Sequence, residues 1–176
     1  MKNKPSSWPE FQFYPKYSPM PEFLNGVVDV FTNNKSKIST ESSHRLSSNE
    51  ILSYLKSDLT NMGFRVENSK LAKDKISIPV LFGKNGGQEK SFEVDAYEPT
   101  THTVFEVEAG QAVINHRFLK DFFEAQIMIG VDYLVIAVRI VYRKNHDFNT
   151  INKFFDVFYQ SKRLQSPLKG LLIIGY

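Results

Sequence analysis

The run YLVIAVRIVY at residues 133–142 constrains this chain more than any other. It is rich in β-branched side chains and nearly continuous in hydrophobicity, whereas a strand with one wet face alternates. Such a strand is covered on both faces, so it belongs inside a mixed or parallel sheet with helices packed against it. Residues 168–176, LKGLLIIGY, repeat the pattern and give a second buried strand. Between the two, Ile151, Phe154, Phe155 and Phe158 recur at helical spacing. Upstream, Ile114, Phe118, Leu119, Phe122, Ala125, Gln126 and Ile129 mark the buried face of a helix over 114–129. The fold class that follows is α/β.

The chain has 176 residues, enough for one domain with a core that needs no staples. With 41% hydrophobic and 14% aromatic residues it reads as globular rather than disordered. Lys and Arg number 22 against 19 Asp and Glu, a net charge of +3 that permits a polyanionic partner without requiring one. There is no cysteine, which excludes disulfides, thiolate zinc sites and thiol catalysis. The opening MKNKPSSWPEFQFYP lacks the apolar core of a signal peptide, and residues 133–142 are too short to cross a bilayer. A soluble, cytoplasmic protein is the expectation.

Residues 1–19 combine four prolines with Trp8, Phe11, Phe13, Tyr14 and Tyr17, which predicts an extended arm packed on the domain or on a second subunit. Phe23, Leu24, Val27, Val28 and Phe31 predict a helix after Pro21, and residues 33–43 a polar loop. The arm and this helix (1–46) precede a core over 47–176. Ser47 with Glu50 three residues on is a capping box, and Ile51, Leu52, Leu55, Leu59 and Met62 form the stripe of a helix ended by Gly63. Residues 64–66 can begin a strand, and 70–75 form a basic loop. Residues 75–82 read as a strand in which Pro79 marks an edge or a bulge. The following GKNGG is a turn, since no phosphate-loop spacing is present, and it joins that strand to two more, three in meander order.

The last two of those strands form the hairpin of residues 91–110, SFEVDAYEPTTHTVFEVEAG. Strand side chains alternate, so Glu93, Asp95 and Tyr97 oppose Phe92, Val94 and Ala96, while Glu106 and Glu108 oppose Phe105 and Val107. If the apolar faces coincide, Asp95, Glu106 and Glu108 gather on the other side. Carboxylates so placed repel, which raises their pKa values or recruits a divalent cation, and oxygen-only ligands suit Mg2+, Mn2+ or Ca2+. The plainer reading is three acids solvated on the wet face of a hairpin. Glu50 is a further candidate ligand, although its capping duty is the stronger reading. Arg117 and Lys120, in the first half of the helix after the hairpin, are candidate phosphate contacts, and His116 beside them is a candidate base or a plain surface residue.

From Ser47 onward the order is helix, three meander strands, helix, strand, helix, strand, with acids on the second and third strands. This order, together with Asp95 and Glu106-Val107-Glu108, resembles the PD-(D/E)XK nuclease superfamily, the restriction endonuclease-like fold. The likeness covers about three quarters of the chain. Val94 stands where the family writes proline and Glu108 where it writes lysine, which is similar to the subgroup that carries E-x-E. The resemblance implies a Mg2+- or Mn2+-dependent nuclease hydrolysing phosphodiester bonds. In it Asp95 and Glu106 would hold the cation, Glu108 would be a further ligand or a base on the attacking water, and Arg117 or Lys120 would steady the transition state. Double-stranded DNA is the substrate implied by family habit, and a homodimer would bring two sites to its two strands. The alternative is a nuclease-fold protein without chemistry that binds nucleic acid or another protein.

Overall fold

Hydrophobic runs that alternate between two opposed cores build a six-stranded mixed sheet with helices on both faces. The computed structural model describes residues 8–39, 46–68, 71 and 74–176. The rest of the arm (1–7), the end of the polar loop with the residues after it (40–45) and part of the basic loop with the residue before it (69, 70, 72 and 73) lie outside the described residues.

The strands are β1 (Glu10–Tyr14), β2 (Arg65–Val66), β3 (Ile76–Phe82), β4 (Gln88–Val94), β5 (Ala96–Glu98), β6 (Thr103–Glu108), β7 (Tyr133–Val138) and β8 (Gly170–Gly175). The helices are α1 (Glu22–Asn33), α2 (Lys35–Ile38), α3 (Ser48–Asn61), α4 (Arg117–Ile127) and α5 (Asp147–Ser161). The large sheet has the order β1-β8-β7-β6-β5-β2, with β6, β7 and β8 parallel and the outer pairings antiparallel. β7 is therefore an interior strand, as its unbroken hydrophobicity requires. Along β6–β8, Phe105, Val107, Val135, Ala137, Leu172 and Ile174 face α1 and α3. Val104, Leu134, Ile136, Val138, Leu171 and Ile173 face α4 and α5. Each such aliphatic side chain contributes roughly 1.5–3 kcal/mol by leaving water, so these strands are what hold the layers together.

Several sequence expectations are corrected. The meander is not one sheet: β3 and β4 form a separate two-stranded ribbon, with register shifts around Pro79, and the ladder breaks at Asp95. Val94 and Ala96 consequently lie in opposite cores, which uninterrupted alternation across 92–97 forbids. The place beside β5 is taken by the short β2, whose following residue Glu67 donates its N–H to the Asp95 carbonyl at 2.9 Å. The aromatic arm does pack on the domain in extended form, and it does so as β1, an edge strand of the main sheet running antiparallel to β8. Pro9 and Pro15 bracket it, where their missing N–H groups interrupt no ladder. In the polar loop the short α2 buries Ile38 in the core. The helix expected from 114 begins at Arg117, because His116 takes a left-handed φ of 52° after a turn in which its N–H donates to the Val113 carbonyl. Ile114 and Ile129 are accordingly exposed.

β7 stops at Val138, before the 142 that composition suggested, because Arg139 follows. Its side chain is 1% exposed. Nε donates to the Ala109 carbonyl at 2.9 Å, Nη2 to the Leu46 carbonyl at 2.8 Å, and the guanidinium lies 5.8 Å from the centre of the Tyr176 ring. One cation thereby ties the ends of β6 and β8 to the approach to α3. Truncation leaves two carbonyls without these donors and a void around them. Arg139→Ala is expected to lower unfolding free energy by on the order of 3 kcal/mol, read as a lower urea midpoint at unchanged slope.

Candidate metal centre

The carboxylates collect where β6 ends, beneath the first turns of α4. Side chains alternate along β6, so Glu106 and Glu108 share the face of Val104, the face that α4 and α5 cover. They are therefore not on a wet surface. Glu108 is 8% exposed and Glu106 is partly buried. Asp95, at the break between β4 and β5, turns its Oδ2 to accept the Val107 N–H at 2.8 Å. The broken ladder is thus what lets an aspartate reach across to β6, and Asp95, Glu106 and Glu108 are brought together as the sequence implied.

A fourth acid joins them. Asp121, 8% exposed, stands on the buried face of α4 beside Phe118, Phe122 and Ala125. The signal was present in the sequence, since an acid at position 121 interrupts an apolar stripe at helical spacing. Burial pushes the Asp121 carboxyl up to about 8, with the Glu108 charge adding to the rise. Glu108 is pushed up to about 7 by burial, against the pull of the Arg117 guanidinium and with Asp95 adding to it. Glu106 is raised well above the usual carboxylate range by burial and by the charges of Asp95 and Asp121. Asp95 is pushed up to about 6 by burial, even though the Val107 N–H favours its ionised form. Four acids with raised pKa values in one place are the cost of packing like charges out of water.

Cations bracket this cluster without neutralising it. Arg117 Nη1 stands 3.6 Å from Glu108 Oε2. Lys120 Nζ lies 3.9 Å from Asp121 Oδ1 but is held at 2.8 Å by Glu124, so its first partner lies on its own helix. On the other side Lys75 Nζ sits 2.9 Å from Glu67 Oε1 and 3.3 Å from Glu93 Oε2, close enough that both Glu67 and Lys75 act on Asp95. Sequence alone placed neither Glu67 nor Lys75 here, because the contact follows from β2 taking the place beside β5. Glu50 is engaged elsewhere: its Oε2 accepts the Ser47 N–H at 2.8 Å and the Ser47 hydroxyl at 2.7 Å, completing the capping box. Helix α3 does touch the site's edge, as the Ala109 N–H donates to Ser48 Oγ at 3.1 Å. His116 caps α4 through its backbone conformation, with no side-chain cap.

Among the described residues no three histidine, aspartate or glutamate side chains converge closely enough to hold a metal ion as they stand. The donor chemistry nonetheless fits one. Glu108 Oε2 and Asp121 Oδ2 are buried and accept no hydrogen bond from the described residues, and every acid around them is oxygen-only. A hard divalent cation is a partner that suits such oxygens.

Two further acids differ instructively. Glu98 is also buried, and although burial pushes its pKa upward, the Thr101 hydroxyl and the amides of Thr100 and Thr101 hold it below the usual range. It is a fully satisfied turn anchor. Asp147, at the start of α5, is raised to about 6 by burial alone, away from the other acids.

No family model matches this sequence, and no curated protein matches it. Among the described residues no helix is long and apolar enough to cross a membrane.

Proposed function

We propose that this chain is a divalent-cation-dependent nuclease of the restriction endonuclease-like fold, hydrolysing phosphodiester bonds, with DNA as its substrate. The observation that carries the reading is the gathering of Asp95, Glu106, Glu108 and Asp121 with raised pKa values, among them two buried carboxylate oxygens that accept no hydrogen bond from the described residues, of which only that of Glu108 has an ion-pair contact, to Arg117 at 3.6 Å. Such a cluster costs stability, and structural acids such as Glu98 avoid that cost by being hydrogen-bonded. The site also lies outside the carboxyl end of parallel strands, where open α/β sheets place their ligands.

A Mg2+ or Mn2+ ion, when bound, would supply a Lewis acid that acidifies water and offsets phosphate charge. Asp95, Glu106 and Asp121 are the residues that would hold it. Asp95 is already oriented by the Val107 N–H. Glu108, held near neutrality in its pKa, is suited to take the proton of the attacking water at its carboxylate oxygen. Arg117, half-exposed and 3.6 Å from Glu108, is placed to contact a phosphate oxygen as charge grows there. Lys120, already paired with Glu124, is the weaker phosphate contact.

A second reading, a binding module of the same fold without chemistry, is favoured by the failure of three groups to converge on one point as they stand. One experiment separates the two. The nuclease reading expects cleavage of double-stranded DNA in Mg2+ or Mn2+ that stops in EDTA, and heat of Mn2+ binding in calorimetry. Nucleic-acid binding with neither cleavage nor Mn2+ uptake across a broad panel of sequences would leave the binding module standing instead.

A further inference from the structure

A concave site lies at the end of the sheet opposite the carboxylates. The carboxylates sit past the carboxyl ends of β6 and β7, whereas this cleft opens where β1 ends and β8 begins, in the register that sets Tyr14 against Leu171 and Tyr133 against Gly170. A strand of six residues at about 3.3 Å each puts roughly 20 Å between the two. The cleft has a volume of about 710 Å3, and a neighbouring chamber of about 370 Å3 shares Tyr17, Tyr159 and Lys162 with it. That is within the range of sites that enclose one small molecule.

Its walls have a definite chemistry. Tyr159 is a rigid face: its ring stacks on Tyr14 at 5.3 Å and 12°, and meets Phe158 edge-on at 5.2 Å. Tyr14 is itself fixed by donating its hydroxyl to the Asn152 carbonyl at 2.9 Å. Tyr17 is the opposite case, 83% exposed, an aromatic ring that the described chain leaves uncovered. Lys162, at the left-handed end of α5, makes no ion pair among the described residues. Among the described residues the Lys169 ammonium pairs only with the partly exposed Asp132, at 2.9 Å. Flat apolar faces beside ammonium groups match a ligand that is planar at one end and anionic at the other.

We propose that this cleft binds a nucleotide, its base against Tyr17 and its phosphate between Lys162 and Lys169. The same chemistry is offered by a free mononucleotide and by the terminal nucleotide of a single strand. The inference stands apart from the carboxylate site and from any activity there.

The test is titration calorimetry of the full chain in EDTA, which silences cation-dependent chemistry. The probes are adenosine 5′-monophosphate, adenosine, inorganic phosphate and a 5′-phosphorylated eight-nucleotide single strand. The expected result is one-to-one binding of the monophosphate, with adenosine and phosphate each at least tenfold weaker. Tyr17→Ala should weaken binding tenfold or more, since stacking on an aromatic ring is lost, and Tyr17→Phe should restore it. Lys162→Asn, which tolerates the left-handed backbone, should weaken the monophosphate and leave adenosine unchanged. Tighter binding of the strand identifies a strand end as the natural occupant, and tighter binding of the monophosphate a free nucleotide. The proposal is overturned by absence of monophosphate binding at millimolar concentration. It is equally overturned if adenosine binds as well as its phosphate, or if Tyr17→Ala binds normally while melting at the wild-type temperature.

Discussion

Glu106→Gln is expected to cut single-turnover cleavage of double-stranded DNA in Mg2+ by a hundredfold or more, without loss of fold. The amide keeps the shape of the side chain on β6 but removes a charge from the centre of the cluster, so cation affinity falls while repulsion in the cation-free protein is relieved. Asp95→Asn should do the same. Asp95→Ala is a poorer test, because the Val107 N–H that Asp95 Oδ2 accepts at 2.8 Å would be left unpaired, costing about 1–3 kcal/mol. Glu108→Gln separates holding the cation from moving a proton: the rate should drop on the order of a hundredfold while DNA affinity in Ca2+ changes little. Glu108→Lys restores the lysine of the family pattern, and partial activity there would support that kinship directly. Full activity in Glu106→Gln, with the same cation dependence as the wild type, would remove the cluster from the chemistry.

The second large effect is on stability, and its direction follows from the pKa values. Unfolded carboxyls ionise near pH 4, whereas in the native chain Asp95 ionises at about 6, Glu108 at about 7, Asp121 at about 8 and Glu106 well above its usual range. Between these limits the native state holds more protons than the unfolded state, so stability falls as pH rises. The cluster imposes no such penalty below about pH 4, and the loss is complete once the pH has passed the highest folded value. For Glu108 alone, the rise from 4.5 to about 7 corresponds to about 3 kcal/mol. The four acids titrate together and do not add, so a loss on the order of 5 kcal/mol across the cluster is expected. In EDTA the melting temperature should therefore fall between pH 5 and 8, and millimolar Mn2+ should remove most of that fall. Asp121→Asn should flatten the EDTA profile. Asp147→Asn should flatten it only near pH 6, and equally with or without Mn2+, because Asp147 lies outside the cluster. A flat wild-type profile would mean that the acids are solvated after all.

What the sequence disclosed and what it withheld divide along a physical line. Features set by residues near one another in the chain were readable: the capping box of Ser47 and Glu50, the stripe of α3, and the continuous hydrophobicity that places β7 inside the sheet. The turn at 98–101 was readable too, although not that Glu98 anchors it with its own carboxylate. Features decided by distant partners were not. Nothing local announces that the ladder breaks at Asp95, since the competing partner is the β2 segment some thirty residues earlier. That same break, and not the continuous alternation of a hairpin, is what brings Asp95 to β6. Asp121 was overlooked because a helix stripe was read for its apolar members and not for the acid among them. An extended arm packed on the domain follows from its prolines and aromatics, but not that it adds a strand to the sheet, because its partner strand lies far along the sequence.

That pairing of the first strand with the last has a consequence for the order in which the chain can form. Among the described strands β1 has one neighbour, β8, and Glu10 is set opposite Gly175. During synthesis the aromatic strand emerges before its partner and waits, unpaired, until the chain through β8 has been made. Tyr14, whose hydroxyl reaches an oxygen 138 residues downstream, cannot bury itself before then. Closure across so long a loop is entropically slow, so this edge belongs to the late phase of folding. Until it closes, β8 lacks one flank and β1 is an apolar template for any strand it meets. The vulnerability of this fold in a cell is thus set by how long β1 must wait for β8.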